Sequence, residues 1–208
     1  MSGHRRQSKT QPTITVFAGP NGSGKTTLTN QFALEGCIDN LVNADQMAAM
    51  LASEEGLSTP TLQQQHQAAH AAEALRWEMI KNKESFTTET VMSDSARWQK
   101  FFESARQQGY RLKLIFITTR DPAINVARVA QRVQQGGHAV DPEKIVSRYQ
   151  KTHKFLAQAI HLIDEGLFYD NSTTPQGPVL VLSVSEPGRV QPEVPIEELP
   201  SWALALVS

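Results

Sequence analysis

The first apolar pattern in the chain is Thr13-Ile14-Thr15-Val16-Phe17-Ala18, a β-branched and aromatic run that stops at Gly19 and predicts a buried strand. A helix is expected from Lys25 to about Leu34, and Leu41 to Asp45 forms a short strand edge ending in polar residues. Between Thr61 and Lys83 apolar residues recur at helical spacing, with Ala68, Ala72, Leu75 and Met79 on one face, which predicts a long helix. Phe86 to Thr90 has strand composition, Ser93 or Asp94 can cap a helix reaching about Gln108, and Leu112 to Thr119 is a second clear strand. Asp121-Pro122 and Asp141-Pro142 each open a helix with proline in its first turn. The first of these stops at Gly136-Gly137, and the second carries Ile145, Tyr149, Leu156, Ile160 and Ile163 on one stripe. Leu167 to Tyr169 and Val179 to Val184 supply two further strands.

Strands alternating with helices imply βα units, a mostly parallel sheet and helices on both of its faces. Residues 1–11 are polar and basic and are expected to be a flexible tail, residues 12–185 one domain. Residues 186–208 hold four prolines and a final apolar run from Trp202 to Val207, a pattern that does not fix their place.

Composition narrows the function classes. Twenty basic residues against twenty-one acidic ones give a formal net charge of −1, which argues against a dedicated nucleic-acid binder. No apolar run approaches the roughly 20 residues of a membrane span, and the N-terminus lacks a signal-peptide core, so the expected compartment is the cytoplasm. Cys37 is the single cysteine, which leaves no internal disulfide and no cysteine metal cluster.

Gly19-Pro20-Asn21-Gly22-Ser23-Gly24-Lys25-Thr26 fits G-x-x-x-x-G-K-[ST] and lies between the first strand and the first helix, the context that confirms a P-loop. Glycines let the backbone wrap a phosphate and aim N–H groups inward, and the helix N-terminus adds partial positive charge. Gly19, Asn21, Gly22, Ser23, Gly24 and Thr27 are the expected cradle for a purine nucleoside triphosphate, ATP or GTP. Lys25 is expected to reach the β- and γ-phosphates and Thr26 to ligate Mg2+. The expected fold class is accordingly α/β, a P-loop NTPase or kinase-type three-layer fold with a helical lid-like segment.

Such a site serves a kinase, an NTPase that drives motion, or a nucleotide-sensing regulator. A kinase needs a carboxylate near the γ-phosphate and cations that neutralise charge in transfer. Asp45, just past a short strand, is the best-placed carboxylate, as a base and beside the metal, and it can also cap a helix over residues 46–53. Glu89 lies among threonines in a strand-like segment, suited either to a substrate cleft or to an exposed edge. Arg128 and Arg132 are four apart on a helix whose other face is apolar, and by pattern alone they are solvated surface. His66 and His70 share a helical spacing but have no third ligand. Motor-type ATPase signatures are absent: there is no Leu-Ser-Gly-Gly-Gln-like segment and no apolar strand ending in an acidic pair.

The blocks Gly19 to Thr27, Asn43-Ala44-Asp45, Glu89-Thr90, Arg128-Val129-x-x-Arg132-Val133-x-x-Gly136-Gly137-His138-x-Val140 and Tyr169-Asp170-Asn171-Ser172 together resemble the zeta-toxin-like P-loop kinases, in particular a short stand-alone branch. Zeta toxins phosphorylate a sugar hydroxyl of UDP-N-acetylglucosamine and are restrained by an antitoxin. The resemblance implies ATP and Mg2+ on Lys25 and Thr26, Asp45 as catalytic base, and Glu89 and Thr90 at the acceptor. It also implies Arg132, with Arg128 beside it, in a segment that clamps phosphates. Larger zeta toxins carry a second arginine shortly before the proline of the next helix, where this chain offers His138, with Arg148 further on. The implied activity is transfer to an alcohol group of a small molecule, and the implied partner is an antitoxin acting in trans. The alternatives are a nucleic-acid or protein kinase and a noncatalytic NTP-binding regulator.

Overall fold

The computed structural model describes residues 11–137, 139–173 and 177–207. The expected N-terminal tail and His138 therefore fall outside the described residues, apart from Gln11.

Seven strands form one sheet in the order β2-β3-β1-β4-β5-β6-β7: β1 (Thr13–Ala18), β2 (Leu41–Val42), β3 (Phe86–Thr90), β4 (Arg111–Thr118), β5 (Glu165–Asp170), β6 (Val179–Glu186) and β7 (Arg189–Pro192). The first five in that order run parallel, and β6 and β7 are added antiparallel. Strand β1 sits in the middle of the five parallel strands, paired with β3 from Ile14–Phe86 to Ala18–Thr90 and with β4 from Thr13–Arg111 to Ala18–Phe116.

Helices α1 (Lys25–Leu34), α2 (Ala44–Glu54), α3 (Leu62–Asn82), α4 (Ser95–Gln107), α5 (Pro122–Gln134), α6 (Pro142–Ala159) and α7 (Ser201–Val207) connect and cover the sheet. Period-two alternation splits each central strand between two apolar clusters. Ile14, Val16, Phe86, Leu112, Leu114 and Phe116 pack with side chains of α3, α4, α6 and α7, among them Met79, Phe102, Phe155 and Trp202. On the opposite face Phe17, Ile115 and Ile117 meet Leu28 and Phe32 of α1. Three layers result, as the strand–helix alternation implies.

Helix α3 illustrates how local chemistry sets the boundaries. Thr61 caps its start in a reciprocal pair with Gln64, and Lys83 ends it at φ 59°, the left-handed conformation of a helix C-terminus. Its buried face differs by one residue from the expected one. Leu75 is 38% exposed, and Arg76 is buried in the stripe with Ala68, Ala72 and Met79. The guanidinium lies 5.7 Å from the Trp98 ring centre and donates to Thr88 Oγ1 at 3.4 Å, so its aliphatic stem fills space that apolar patterning assigns to leucine.

The C-terminal segment belongs to the same body. After the β6–β7 hairpin, a 3-10 turn (Ile196–Glu198) leads into α7, where Ala203 is fully buried and the Trp202 indole donates to Asp170 Oδ2 at 3.0 Å. Asp170 ends β5, so α7 is tied to the carboxyl edge of the sheet, where the parallel strands deliver their loops.

Candidate active site

The segment from Gly19 to Lys25 joins β1 to α1 in a conformation that needs glycine. Gly19, Gly22 and Gly24 have φ of 150°, 76° and 100°, and a Cβ at Gly19 would lie 2.0 Å from the Ile117 carbonyl. Two side chains from distant elements and one of the loop's own hold its carbonyls: Asn125 donates to Asn21 O at 2.7 Å, Asn171 to Ser23 O at 2.8 Å, and Lys25 Nζ to Pro20 O at 3.0 Å. Among the described residues, the first turn of α1 has no side-chain cap and the buried Ser23 hydroxyl has no hydrogen-bond partner. Orphan N–H groups at a helix start beside an unsatisfied hydroxyl suit a phosphate chain.

Lys25 is 8% exposed, and burial pulls its ammonium from 10.5 down to about 8. The charges of Glu89 and Asp45 oppose that shift, whereas Arg132 and Arg148 deepen it. Two carboxylates and two guanidinium groups thus converge on one lysine. Glu89 reaches the loop directly: Thr26 Oγ1 donates to Glu89 Oε1 at 2.9 Å, and Asn43 Nδ2 donates to Glu89 Oε2 at 3.1 Å. Register explains the orientation. Glu89 pairs with Phe17 on β1 and shares its face, the side on which α1 begins.

Asp45 is exposed in the first turn of α2, and its carboxylate is not the helix cap. Asn43 fills that role, its Oδ1 accepting from the N–H groups of Asp45 and Gln46 at 2.9 and 3.2 Å. One asparagine therefore fixes α2 with its carbonyl oxygen and Glu89 with its amide. Thr90, at the end of β3, accepts from Met92 N at 3.0 Å, and Met92 has the positive φ of 58°. The oxygen-only donor set of Thr26, Glu89 and Asp45 fits a hard divalent cation such as Mg2+, which takes few carboxylates alongside phosphate and water.

The arginines divide. Arg132 is exposed on α5 and close enough to act on Lys25. Arg128, one turn earlier, has its Nη1 buried without a hydrogen-bond partner among the described residues. Arg148 on α6 donates to Asn21 Oδ1 at 3.1 Å, and burial lowers its pKa while Asp45 raises it. It brings a cation to the loop from the helix after the glycine pair. In sequence Arg148 lies on the polar face of α6 and is singled out only by the resemblance, as is Asn43 through its block with Asp45, whereas Asn125 gives no signal beyond being polar.

A three-layer α/β fold with this loop at the carboxyl edge of its central strand is a P-loop fold of kinase type. The chain belongs to the AAA_33 family of AAA domains, whose sequence profile matches residues 14–156. An uncharacterized protein of Haemophilus influenzae is 30% identical over 135 residues, 64% of this chain and 89% of that protein. Among solved structures, the AvrRxo1-ORF1:-ORF2 complex with ATP is similar with a TM-score of 0.66 at 19% identity, over 89% of this chain and 61% of the matched one. The PezAT chromosomal toxin-antitoxin system of Streptococcus pneumoniae is similar with a TM-score of 0.58 at 17% identity, over 80% of this chain and 72% of the matched one. The chain thus spans about three fifths of the AvrRxo1 chain it matches. At the level of fold, these likenesses bear out the zeta-toxin-like resemblance.

Proposed function

We propose that this chain is an ATP-dependent phosphotransferase that moves the γ-phosphoryl group to a hydroxyl of a small molecule in the cytoplasm, with a nucleotide sugar such as UDP-N-acetylglucosamine as the leading acceptor. The observation that carries the reading is the convergence of charged side chains on the phosphate loop, where Glu89 accepts from Thr26, Arg148 donates to Asn21, and Asp45 and Arg132 act on Lys25. An NTP-binding regulator needs the loop and its lysine, but not an exposed carboxylate beside a cluster of cations.

In this reading Gly19, Asn21, Gly22, Ser23, Gly24 and Thr27 frame the triphosphate, and Lys25 meets its β- and γ-oxygens. Thr26 and Glu89, with Asp45 nearby, hold Mg2+, which when bound neutralises charge on the phosphates. Asp45 orients the acceptor hydroxyl and takes its proton as the acceptor oxygen bonds to the γ-phosphorus. The bond to the β–γ bridging oxygen breaks, and ADP leaves. Arg132 and Arg148 face the charge on the transferring group, and Arg128 supports them. Glu89 and Thr90 border the acceptor. The PezAT and AvrRxo1 complexes each pair such a chain with a second protein, which supports a protein partner acting in trans as antitoxin.

The test incubates a metabolite extract with ATP, Mg2+ and either wild type or Asp45→Asn, and seeks by mass spectrometry a species heavier by one phosphoryl group. Wild type should make it and Asp45→Asn should be slower by about 10²–10⁴ at unchanged ATP affinity. ATP consumption without any phosphorylated acceptor, or equal transfer by the two proteins, refutes the proposal.

A further inference from the structure

Helix α5 ends in a turn whose hydrogen bonds fold the chain back over Arg132. Gly136 N–H donates to Val133 O at 3.0 Å, Gly137 N–H donates to Arg132 O at 2.9 Å, and Gly136 has the left-handed φ of 86°. This is the Schellman ending of a helix, with Gly136 at its left-handed position and Gly137 one residue beyond. An apolar residue commonly stands at that outer position and covers the side chain whose carbonyl it caps. Here the side chain to be covered is that of Arg132, and the covering residue is a glycine.

The two glycines answer to different constraints. A Cβ at Gly136 would meet nothing within 4 Å, so its backbone conformation alone favours glycine. Gly137 lacks a left-handed φ, and its constraint is space: a Cβ would lie 2.6 Å from Arg132 Cγ, 3.2 Å from Cδ and 2.9 Å from the Arg132 carbonyl oxygen. The bare Cα of Gly137 thus borders the stem of an exposed arginine. An arginine on a helix surface has many open rotamers, and a backbone wall beside its stem removes part of that freedom before any phosphate arrives. The charge at the end of this stem acts on Lys25, so the restraint bears on a cation that reaches the phosphate loop.

We infer that Gly137 is a positioning residue: its missing side chain leaves the slot that holds the Arg132 stem, and so sets the direction from which the guanidinium meets the transferring phosphoryl group. A methyl group at position 137 fills that slot, and either Arg132 leaves its rotamer or the turn opens. The planar fork of a guanidinium is directional, so a displacement of about 1 Å costs as much as a hundredfold in rate. This inference rests on the phosphotransferase reading above.

The test compares Gly137→Ala and Gly136→Asn in the full chain, each in the wild-type and in the Arg132→Ala background. It reads the rate of γ-phosphoryl transfer into a metabolite extract at saturating Mg2+-ATP, with Mg2+-ATP affinity by calorimetry and folding by thermal midpoint. Asparagine tolerates the left-handed conformation, so Gly136→Asn should transfer within about twofold of wild type. Gly137→Ala should be slower by about 10–100-fold while its Mg2+-ATP affinity stays within about threefold. In the Arg132→Ala background it should change the rate by no more than about twofold, because the stem it obstructs is gone. A Gly137→Ala rate within about twofold of wild type overturns the inference, as does equal slowing in the two backgrounds. A readout independent of catalysis is the Arg132 Nε–H resonance, assigned by its loss in Arg132→Ala. It should shift in Gly137→Ala and hold in Gly136→Asn, and a resonance unmoved by Gly137→Ala also overturns the inference. A wild type that transfers no phosphoryl group refutes the phosphotransferase reading instead, and the resonance then decides whether Gly137 places the Arg132 stem.

Discussion

Replacing Lys25 with methionine should stabilise the protein while removing its nucleotide binding. Burial lowers the Lys25 pKa from 10.5 to about 8, net of attraction to Glu89 and Asp45. Keeping the ammonium charged in the fold therefore costs about 3 kcal/mol at neutral pH. Between pH 8 and 10.5 the unfolded chain still binds a proton that the folded chain has released, so stability rises with pH through that window and the cost is complete below it. Lys25→Met keeps a similar volume and removes the charge, but forfeits the Nζ bond to Pro20 O, worth about 1 kcal/mol. The expected net gain is about 2 kcal/mol at pH 7, and it falls to zero at about pH 10, above which the lost hydrogen bond leaves the variant slightly less stable. Urea denaturation of both proteins at pH 7 and pH 10, with and without Mg2+-ATP at pH 7, measures it. Wild type should gain about 2.7 kcal/mol from nucleotide at a hundred times its Kd, and the variant almost nothing. A methionine variant less stable than wild type at pH 7, or one equally stabilised at both pH values, refutes the reasoning.

Arg132→Ala should raise the transfer barrier by roughly 2–4 kcal/mol in single-turnover assays, with no rescue by Arg132→Lys because the planar fork is lost. Arg128→Ala should do less, and a silent Arg132→Ala would leave Arg132 as part of a solvated helix face. Asn43→Ser keeps the cap of α2 but loses the amide that holds Glu89, so it should fold like wild type and bind Mg2+-ATP more weakly. Asn43→Ala should in addition lose about 1 kcal/mol of stability by denaturant titration. Wild-type expression without a partner should slow growth of a bacterial host while Asp45→Asn is harmless, and robust growth at high wild-type expression would favour a nontoxic kinase.

Local chemistry made much of the fold legible. The P-loop announces itself, and α3 begins and ends where Thr61 and Lys83 say it should, because capping and left-handed termination are decided within a few residues. Asp121-Pro122 and Asp141-Pro142 place α5 and α6 for the same reason. What stayed hidden depends on contacts across the chain. Arg76 takes the position expected for Leu75 because Trp98 and Thr88 wait for it on other elements. Glu89 faces the Thr26 hydroxyl through the register of β3 on β1, which no single segment encodes. Arg148 resembles any other cation on an amphipathic helix until α6 brings it to Asn21. The C-terminal segment has no periodic pattern, and its place is set by the burial of Leu199, Trp202 and Ala203 in the core and by the Trp202 indole meeting Asp170.

The strand order has a consequence for synthesis. Strand β1, which leads into the phosphate loop, does not lie beside β2, the strand that follows it in sequence: its partners are β3 and β4. A ribosome that has just made Ala18 must add about 100 further residues, to Thr118, before β1 is flanked, which takes roughly 5–20 s at ordinary elongation rates. It must then reach Asn171 before the amide that holds the Ser23 carbonyl exists. Nucleotide therefore cannot act as a template for the emerging chain, and a nascent product truncated before β5 carries a complete loop sequence with no working pocket. The site is written near the start of the chain and finished near its end.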